Sequence, residues 1–286
     1  MSSPEKLTEA LRRVRERSPR IHCLTNPVTM QDVANLLLAA GGSAIMAQDV
    51  REVQEIVSQC QGLLLNIGVP AEEKLKVWNL AGQRANQLGL PVVLDPVGAG
   101  ASRFRREALR SLLSRVRVSV IRCNQGEAAA LLEEAPQGGE EAWKLHSEKR
   151  GLKPSGVESG LRLAGDGQRR LAEALARRYG CTALVSGETD LVSDGKQWAR
   201  LQGGDGRTAK ITGSGCMLSA LCALLCGAGL APYEAACGAG CLWKEGARLA
   251  GLWAGENSMK LGAFHTGLFD AVGQLCWEKI TEEVQE

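Results

Sequence analysis

The chain has 286 residues, 44% of them hydrophobic and 23% charged, and a formal net charge of +2. This length and hydrophobic content suit one large α/β domain or two small ones. The charges are dispersed, and the densest basic cluster, between Arg12 and Arg17, fits a solvated helix face, so no nucleic-acid partner is predicted. The longest apolar stretches, 217–225 and 63–69, are too short to span a bilayer, so no membrane association is predicted.

The ten cysteines fall in predicted strands and helices rather than in a small, loop-rich scaffold. The polar start, Met1-Ser-Ser-Pro-Glu-Lys6, does not resemble a signal peptide. We therefore expect reduced thiols and a cytoplasmic location. Cys222 and Cys226 share a helix spacing, as do Cys237 and Cys241. Because there is no CxxC pair and no neighbouring histidine, the pattern argues against a zinc site.

Strand and helix patterns alternate from residue 21 to residue 216. Strands are predicted at 21–25, 43–47, 62–68, 91–96, 118–122, 181–186, 190–193 and 197–201. Helices are predicted at 4–17, 29–40, 50–59, 71–88, 103–114, 124–133, 165–179, 214–226, 233–252 and 262–280. Asn26-Pro27 is expected to be the Ncap–N1 pair of the second helix, and Asp194-Gly195 predicts a hairpin turn.

This order predicts a single α/β domain over residues 1–286, with a mostly parallel sheet covered by helices on both faces. The segment 134–155 is polar and lacks a sustained apolar period, so we interpret it as an insertion or a mobile loop. Ligands of such sheets bind beyond the carboxyl ends of the strands. The predicted strand ends facing this crevice carry Asn26, Met46, Gly68, Asp95, Arg122, Ser186 and the turn 213–216.

The turn Thr212-Gly-Ser-Gly-Cys216 leads from a segment expected to be extended, 208–211, into a long apolar helix. Its two glycines permit positive φ and a close approach of the backbone to a ligand. The free N–H groups and the positive dipole end of the helix favour an anion such as phosphate. The same pattern is about equally typical of an ordinary capped helix start, so the turn alone does not decide between the two.

Two acids follow predicted strands. Asp95 closes an apolar strand and could simply cap the turn 98–100, and Glu127 lies three residues after Asn124, as in a capping box. Both acids could instead organise a nucleotide-bound Mg²⁺, which prefers carboxylates, phosphates and water. Arg122 would then contact phosphate oxygens. The acids, the arginine and the glycine turn together favour phosphoryl transfer, although the sequence has neither a P-loop nor a convincing Rossmann signature.

Six motifs occur in order along the chain: Ile21-His-Cys-Leu-Thr-Asn26, Asn66-Ile-Gly68, Leu94-Asp-Pro-Val-Gly-Ala-Gly100, Ile121-Arg122 with Asn124-x-x-Glu127, Ser186-Gly-Glu-x-Asp190 and Thr212-Gly-Ser-Gly-Cys216. Together they resemble the hydroxyethylthiazole kinase family. The resemblance implies a ribokinase-like three-layer fold and ATP-dependent phosphorylation of the primary alcohol of 4-methyl-5-(2-hydroxyethyl)thiazole in thiamine salvage. It also implies Mg²⁺ organised by Asp95 and Glu127, and a homotrimer with each thiazole site at a subunit boundary.

The resemblance also assigns roles within the glycine turn. The backbone of Gly213, Ser214 and Gly215 would stabilise the transferring phosphoryl group. Cys216 occupies the position at which most ribokinase-like enzymes carry an aspartate base. The start of a helix should lower the pKa of Cys216 from about 8.5, while apolar neighbours oppose ionisation.

For the two substrates, the resemblance implies separate contacts. Met46, Gly213 and Asn26 would contact the thiazole, with Asn26 reaching in from the neighbouring subunit. Arg122 and Ser186 would contact ATP.

Three alternatives remain open at this stage. The first is a kinase of hydroxymethylpyrimidine or another small alcohol on the same fold, although Cys216 in place of aspartate argues against it. The second is a hydrolase or transferase with Cys216 as nucleophile, which needs a histidine base. His22, His146 and His265 are the histidines of the chain, and of these only His265 is a plausible base. The third is a binding protein that kept the fold but lost turnover.

Overall fold

The computed structural model of the chain describes residues 4–133, 163, 165–255 and 259–277. Its strands are β1 (Arg20–Leu24), β2 (Ser43–Ile45), β3 (Gly62–Asn66), β4 (Val92–Asp95), β5 (Val120–Asn124), β6 (Thr182–Ser186), β7 (Asp190–Ser193) and β8 (Trp198–Leu201). Its helices are α1 (Pro4–Arg17), α2 (Met30–Ala39), α3 (Val53–Ser58), α4 (Glu72–Gln87), α5 (Arg103–Leu113), α6 (Gln125–Glu133), α7 (Asp166–Tyr179), α8 (Ser214–Gly227), α9 (Pro232–Ala254) and α10 (Leu261–Trp277). Each predicted strand and helix is present, with its ends shifted by a few residues. The insertion predicted at 134–155 lies outside the described residues.

The strands form one sheet in the order β2-β1-β3-β4-β5-β6-β7-β8. Neighbours from β2 to β6 are parallel, and β7 and β8 are added antiparallel as the predicted hairpin. The mostly parallel α/β sheet is therefore confirmed. The chain passes from β1 outward to β2 and then returns to β3 on the other side of β1, which makes the gap between β1 and β3 a switch point of the topology. Open α/β sheets bind ligands at such points.

Helices cover both faces of the sheet, so there are two cores. In β3, Leu64 packs into one core, while Leu63 and Leu65 pack into the other. All three side chains are fully buried. A strand covered on both faces needs apolar residues at every position, which explains why this segment lacks the alternation of a half-exposed strand.

Helix α8 is apolar around its whole circumference. One side packs on strands β1, β3, β4 and β5, and other sides pack on α2 and α9. Ser219 is the buried polar side chain within this run. A helix that is apolar all round is either a core helix or a membrane span, and the described helices include none long and apolar enough for the latter. The packing fixes the first turn of α8 at the carboxyl edge of the sheet.

Two local predictions were wrong. Asn26-Pro27 does not open α2, which begins at Met30. Instead, Asn26 Oδ1 accepts the N–H of Val28 at 3.1 Å, and the side-chain amide is directed into the interior.

The segment expected to be extended before the glycine turn is a 3₁₀ helix, Gly206–Lys210. Its start is capped by Asp205, whose Oδ1 accepts the N–H of Arg207 at 2.8 Å. Arg207 also donates to the carbonyl oxygen of Gly251 in α9 at 2.8 Å. This tertiary contact outweighs the local preference for an extended chain.

The two adjacent leucines of α2 provide a test of this packing. Leu37 is 0% exposed and Leu38 is 59% exposed. We expect Leu37→Ala to lower the free energy of unfolding by about 2–5 kcal/mol, because it leaves a cavity in the core. We expect Leu38→Ala to change it by less than about 0.5 kcal/mol. Urea denaturation of both variants would measure this, and equal losses would contradict the described packing of α2.

Candidate active site

Asp95 lies at the centre of the site. Its side chain closes β4 and is 0% exposed. Oδ2 accepts hydrogen bonds from Asn66 Nδ2 at 2.8 Å and from Ser219 Oγ at 2.9 Å. Oδ1 has no hydrogen-bond partner among the described residues, and Arg122 Nη1 lies 3.9 Å from it. Asp95 therefore does not cap the glycine turn that follows it.

Burial has the largest effect on the pKa of Asp95. Loss of water raises the pKa of its carboxyl group above the ordinary value, and the Arg122 charge with the hydrogen bonds from Ser219 and Asn66 opposes this rise. The protein therefore stabilises the Asp95 carboxylate only in part, because its Oδ1 accepts no hydrogen bond from the described residues. Such a group is suited to a cation that arrives with a ligand.

Asn66 connects Asp95 to the glycine turn. Besides Asp95, its Nδ2 donates to Cys216 Sγ at 3.1 Å. Its Oδ1 accepts from Asn26 Nδ2 at 3.0 Å and from the N–H of Gly68 at 2.9 Å. Asn26 Nδ2 lies 3.8 Å from Cys216 Sγ. Asn26 is thus hydrogen-bonded to site residues of its own chain, and its contact with a thiazole bound at a neighbouring subunit stays a prediction.

Cys216 is buried and its thiol stays protonated. Burial, followed by the charge of Asp95, raises the pKa of Cys216 to about 12. The raised pKa of Cys216 does not agree with the lowering expected from the helix start, and it agrees with the opposing effect expected from burial. The sulfur accepts a hydrogen bond from Asn66 instead.

The glycine turn has the geometry that an anion site requires. Gly213 has φ +83°, and α8 begins at Ser214. The N–H groups of Gly215 and Cys216 have no acceptor among the described residues. A Cβ at position 215 would overlap the guanidinium of Arg122, which shows how closely that side chain approaches the turn. Open N–H groups beside a cation are typical of phosphate sites, and anion binding itself stays a prediction.

Glu127 forms the predicted capping box at the start of α6. Its N–H donates to Asn124 Oδ1 at 2.9 Å, and its Oε2 accepts the N–H of Asn124 at 2.9 Å. Its Oε1 accepts the N–H of Gly98 at 2.8 Å. Burial and then the charge of Asp95 raise the pKa of Glu127. The capping interpretation is confirmed.

The acids fit a magnesium ion shared with a nucleotide. The described residues contain no cluster of three or more His, Cys, Asp or Glu that could hold a metal by themselves. Mg²⁺ is commonly bound by one or two carboxylates, with water and phosphate as the other ligands. The free, buried Oδ1 of Asp95 could serve as a direct ligand. Both oxygens of Glu127 already accept N–H groups, so its contact is better made through water.

Arg122 and Ser186 lie together as predicted for a nucleotide contact. Arg122 Nη2 donates to Ser186 Oγ at 2.6 Å. The turn after β6 is held by Asp190, which accepts the N–H of Gly187 at 2.9 Å. Lys244 Nζ lies 3.2 Å from Asp190 Oδ1 and donates to the carbonyl oxygen of Glu188 at 2.9 Å. The turn that follows Ser186 is therefore held by a buried ion pair.

Met46 follows the edge strand β2 and is partly buried against the core that contains α2 and α8. The next residue is anchored, because His22 Nε2 donates to the carbonyl oxygen of Ala47 at 2.8 Å. Burial lowers the pKa of His22, which favours the neutral ring. The hydrogen bonds described above for Asp95 and Cys216 do not involve Met46, so its thiazole contact stays a prediction.

The thiol-nucleophile alternative fails on geometry. His265 Nε2 lies 3.1 Å from Asp32 Oδ2, and His22 is engaged with Ala47. The polar neighbours of Cys216 Sγ include the amides of Asn66 and Asn26, the hydroxyl of Thr29 and the carboxyl group of Asp95. His146 lies outside the described residues. A thiol with a raised pKa and no histidine base among its described neighbours is not an activated nucleophile.

Two site residues were given no role from the sequence. Asn66 ends an apolar strand, and Ser219 is a lone hydroxyl in an apolar helix. Ser219 Oγ donates to Asp95 and also lies 3.1 Å from the carbonyl oxygen of Gly215, one turn earlier. A buried polar residue in an apolar segment needs a partner, and that signal could have identified both.

Comparison with known proteins agrees with this geometry. A model of the hydroxyethylthiazole kinase family matches residues 11–278. A hydroxyethylthiazole kinase from Histophilus somni is 39% identical over 278 residues, which cover 96% of this chain and 97% of the relative. The solved structure of a hydroxyethylthiazole kinase protein from Pyrococcus horikoshii has a TM-score of 0.77 and 33% identity, covering 94% of this chain and 93% of its own.

A more distant structure shows the fold alone. The pyridoxal kinase from Staphylococcus aureus in complex with AMP-PCP aligns with a TM-score of 0.56 at 12% identity, covering 81% of this chain and 88% of its own. The chain therefore has the ribokinase-like α/β fold and belongs to the hydroxyethylthiazole kinase family.

Proposed function

We propose that the protein transfers the γ-phosphoryl group of ATP to the primary alcohol of 4-methyl-5-(2-hydroxyethyl)thiazole, a salvage step toward thiamine. For a chain of this family, one structural observation gives the proposal its main support. Asp95 with its free oxygen, the Arg122 guanidinium and the open N–H groups of Gly215 and Cys216 converge at one edge of the sheet. Carboxylate, guanidinium and oriented N–H groups are the parts that phosphoryl transfer requires.

In this reaction the alcohol oxygen forms a bond to the γ-phosphorus while the bond to the β,γ-bridging oxygen breaks and ADP leaves. The N–H groups at the start of α8 would stabilise charge on the transferring phosphoryl oxygens. The alcohol proton passes to a phosphoryl oxygen or to solvent. Because positioning and electrostatics supply most of the rate in a loose transition state, no strong base is needed. This agrees with a Cys216 thiol that stays protonated.

Substrate contacts follow the assignments made above. We propose that Met46, Gly213 and Asn26 contact the thiazole, and that Arg122 and Ser186 contact ATP. The 2.6 Å hydrogen bond between Arg122 and Ser186 supports a common role for this pair.

Asp95 and Glu127 are proposed to hold Mg²⁺, the first directly and the second through water. When bound, the ion would neutralise phosphate oxygens and so assist departure of ADP. The buried Oδ1 of Asp95, which has no hydrogen-bond partner among the described residues, supports this assignment.

We also propose a cytoplasmic homotrimer with each site near a subunit boundary. All ten cysteines are free thiols, which suits a reducing compartment. Val28 and Val69 are 67% and 44% exposed, and they lie directly beyond the site residues Asn26 and Gly68. Exposed apolar side chains at the edge of a site favour burial by another subunit.

The substrate assignment is tested by ATP turnover in a coupled assay. Thiazole alcohol, hydroxymethylpyrimidine and pyridoxal would be compared at equal concentration with the same enzyme preparation. We expect turnover with the thiazole alcohol and at most weak turnover with the others. If only another alcohol were phosphorylated, the protein would still be a kinase, but the thiazole alcohol would not be its substrate.

The metal assignment predicts selective defects. Asp95→Asn and Glu127→Gln should weaken activation by Mg²⁺ roughly 10- to 100-fold, with thiazole binding nearly unchanged. Activity titrated with Mg²⁺ and calorimetric thiazole binding would separate the two effects. Glu107→Gln on α5 is the control, because Glu107 is an exposed partner of Arg103. Normal Mg²⁺ dependence in both site variants would restrict the acids to structural roles.

The protonated thiol predicts a mild effect of losing Cys216. Cys216→Ala should retain kcat within roughly tenfold, whereas an obligatory base is worth roughly 10²–10⁴-fold. Cys216→Asp should equal or exceed the parent. Since the pKa of Cys216 is about 12, kcat should not rise tenfold per pH unit between roughly pH 7 and 9, as a required thiolate would demand.

The control for these variants is Cys226→Ala, a buried cysteine at the far end of the same helix. It should lose stability like Cys216→Ala and keep full activity. A folded but inactive Cys216→Ala protein would make the thiol an obligatory group.

A further inference from the structure

Arg105 connects two loops at the carboxyl edge of the sheet. Its Nη1 donates to the carbonyl oxygens of Ile67 and Val97, each at 2.8 Å. Its Nη2 donates to the carbonyl oxygen of Gly68 at 2.8 Å. Ile67 and Gly68 leave β3, and Val97 leaves the neighbouring strand β4. One side chain of α5 therefore holds the segments that follow the two strands at the centre of the site.

Two of the peptide groups that Arg105 holds also donate to side chains of the site. The N–H of the peptide between Ile67 and Gly68 donates to Asn66 Oδ1 at 2.9 Å. The N–H of the peptide that follows Val97 donates to Glu127 Oε1 at 2.8 Å. A peptide group is planar, so fixing the direction of its carbonyl also fixes the direction of its N–H. Consecutive hydrogen bonds of this kind also polarise one another.

The first of these connections sets the orientation of the Asn66 amide. With Oδ1 accepting from Gly68, the Nδ2 end is directed to Asp95 Oδ2 and Cys216 Sγ. An amide rotated by half a turn would place its oxygen against the carboxylate of Asp95, which is repulsive. The second connection fixes one oxygen of Glu127 in the same way.

Both the backbone and the side chain of Arg105 are suited to this position. Its own N–H donates to Ser102 Oγ at 3.2 Å, the N-cap of α5. Burial lowers the pKa of Arg105, and the charge of Glu127 opposes this shift. A planar guanidinium offers several donors at fixed angles, which a lysine ammonium does not. The side chain therefore reaches three carbonyl oxygens at once and adds positive charge near Glu127.

We propose that Arg105 is a positioning residue for phosphoryl transfer. Acting through the two peptide groups, it orients Asn66 and Glu127, and through Asn66 it orients Asp95 and Cys216. The kinetic part of this inference rests on the proposed function. The geometric part does not, so the two can fail separately.

Kinetics of three variants test the role in turnover. Arg105→Met keeps most of the apolar stem of the side chain and removes its donors, and we expect kcat to fall roughly 10- to 100-fold with little change in KM for the thiazole alcohol. Arg105→Lys should recover part of the loss. Arg103→Met is the control, since Arg103 lies in the same turn of α5 with 86% of its side chain exposed. A lower melting temperature with normal kcat per folded molecule would overturn the proposal.

Amide hydrogen exchange tests the geometry without any turnover. In Arg105→Met the Gly68 and Gly98 amides should exchange roughly tenfold faster than in the parent, and in Arg103→Met they should not. Unchanged exchange at both amides would overturn the proposal. Should the parent fail to phosphorylate the thiazole alcohol while the exchange result holds, the proposed substrate is wrong and the positioning role stands.

Discussion

Burial of the Asp95 carboxylate is the constraint on which the site depends. Removing an ionised carboxyl group from water costs several kcal/mol unless hydrogen bonds and opposite charge compensate. Here the compensation comes from Asn66 of β3, Arg122 of β5 and Ser219 of α8. The carboxylate thus joins the ends of three strands and a helix. Since Oδ1 remains without a donor, a cation carried in by the nucleotide would complete the balance.

That arrangement also explains two glycines that have no positive φ. A Cβ at Gly68 would lie 2.7 Å from Asn26 Nδ2, and a Cβ at Gly215 would enter the Arg122 guanidinium. Both positions need glycine because polar side chains of the site occupy the space. Gly213 differs, since its φ of +83° is itself a conformation that favours glycine. Within the glycine turn, backbone conformation therefore requires glycine at position 213 and close packing requires it at position 215.

Periodicity and strand-end chemistry were sufficient to predict the sheet, its hairpin and the placement of Arg122, Glu127 and Cys216 near Asp95, but not its two hydrogen-bond donors, Asn66 and Ser219. The failures have a common origin in tertiary contacts. Asn26 was predicted to cap α2 from local sequence, yet its amide bonds to a residue 40 positions away. The pKa of Cys216 depends on how completely the core excludes water, which a helix start does not reveal.

Arg105 shows a different limit of sequence analysis. Its three acceptors are backbone carbonyl oxygens, which every residue carries, so no residue type in the sequence marks the partner. Asn66 and Ser219 did leave a signal, since each is a polar residue in an apolar segment whose burial was predictable. A side chain that hydrogen-bonds to backbone groups can be identified only when the conformation of the loops is known.

The negative charge of Asp95 also helps to explain why residue 216 can be a cysteine. Burial, and then the charge of Asp95, already raise the pKa values of Cys216 and Glu127. An aspartate at position 216 would meet the same burial and the same neighbouring charge, so its pKa would rise toward the range useful for a base. A cysteine stays neutral there and adds no third negative charge to a poorly solvated site. It gives up a proton acceptor, and in a loose transition state that loss is small beside the contribution of the oriented N–H groups and Arg122.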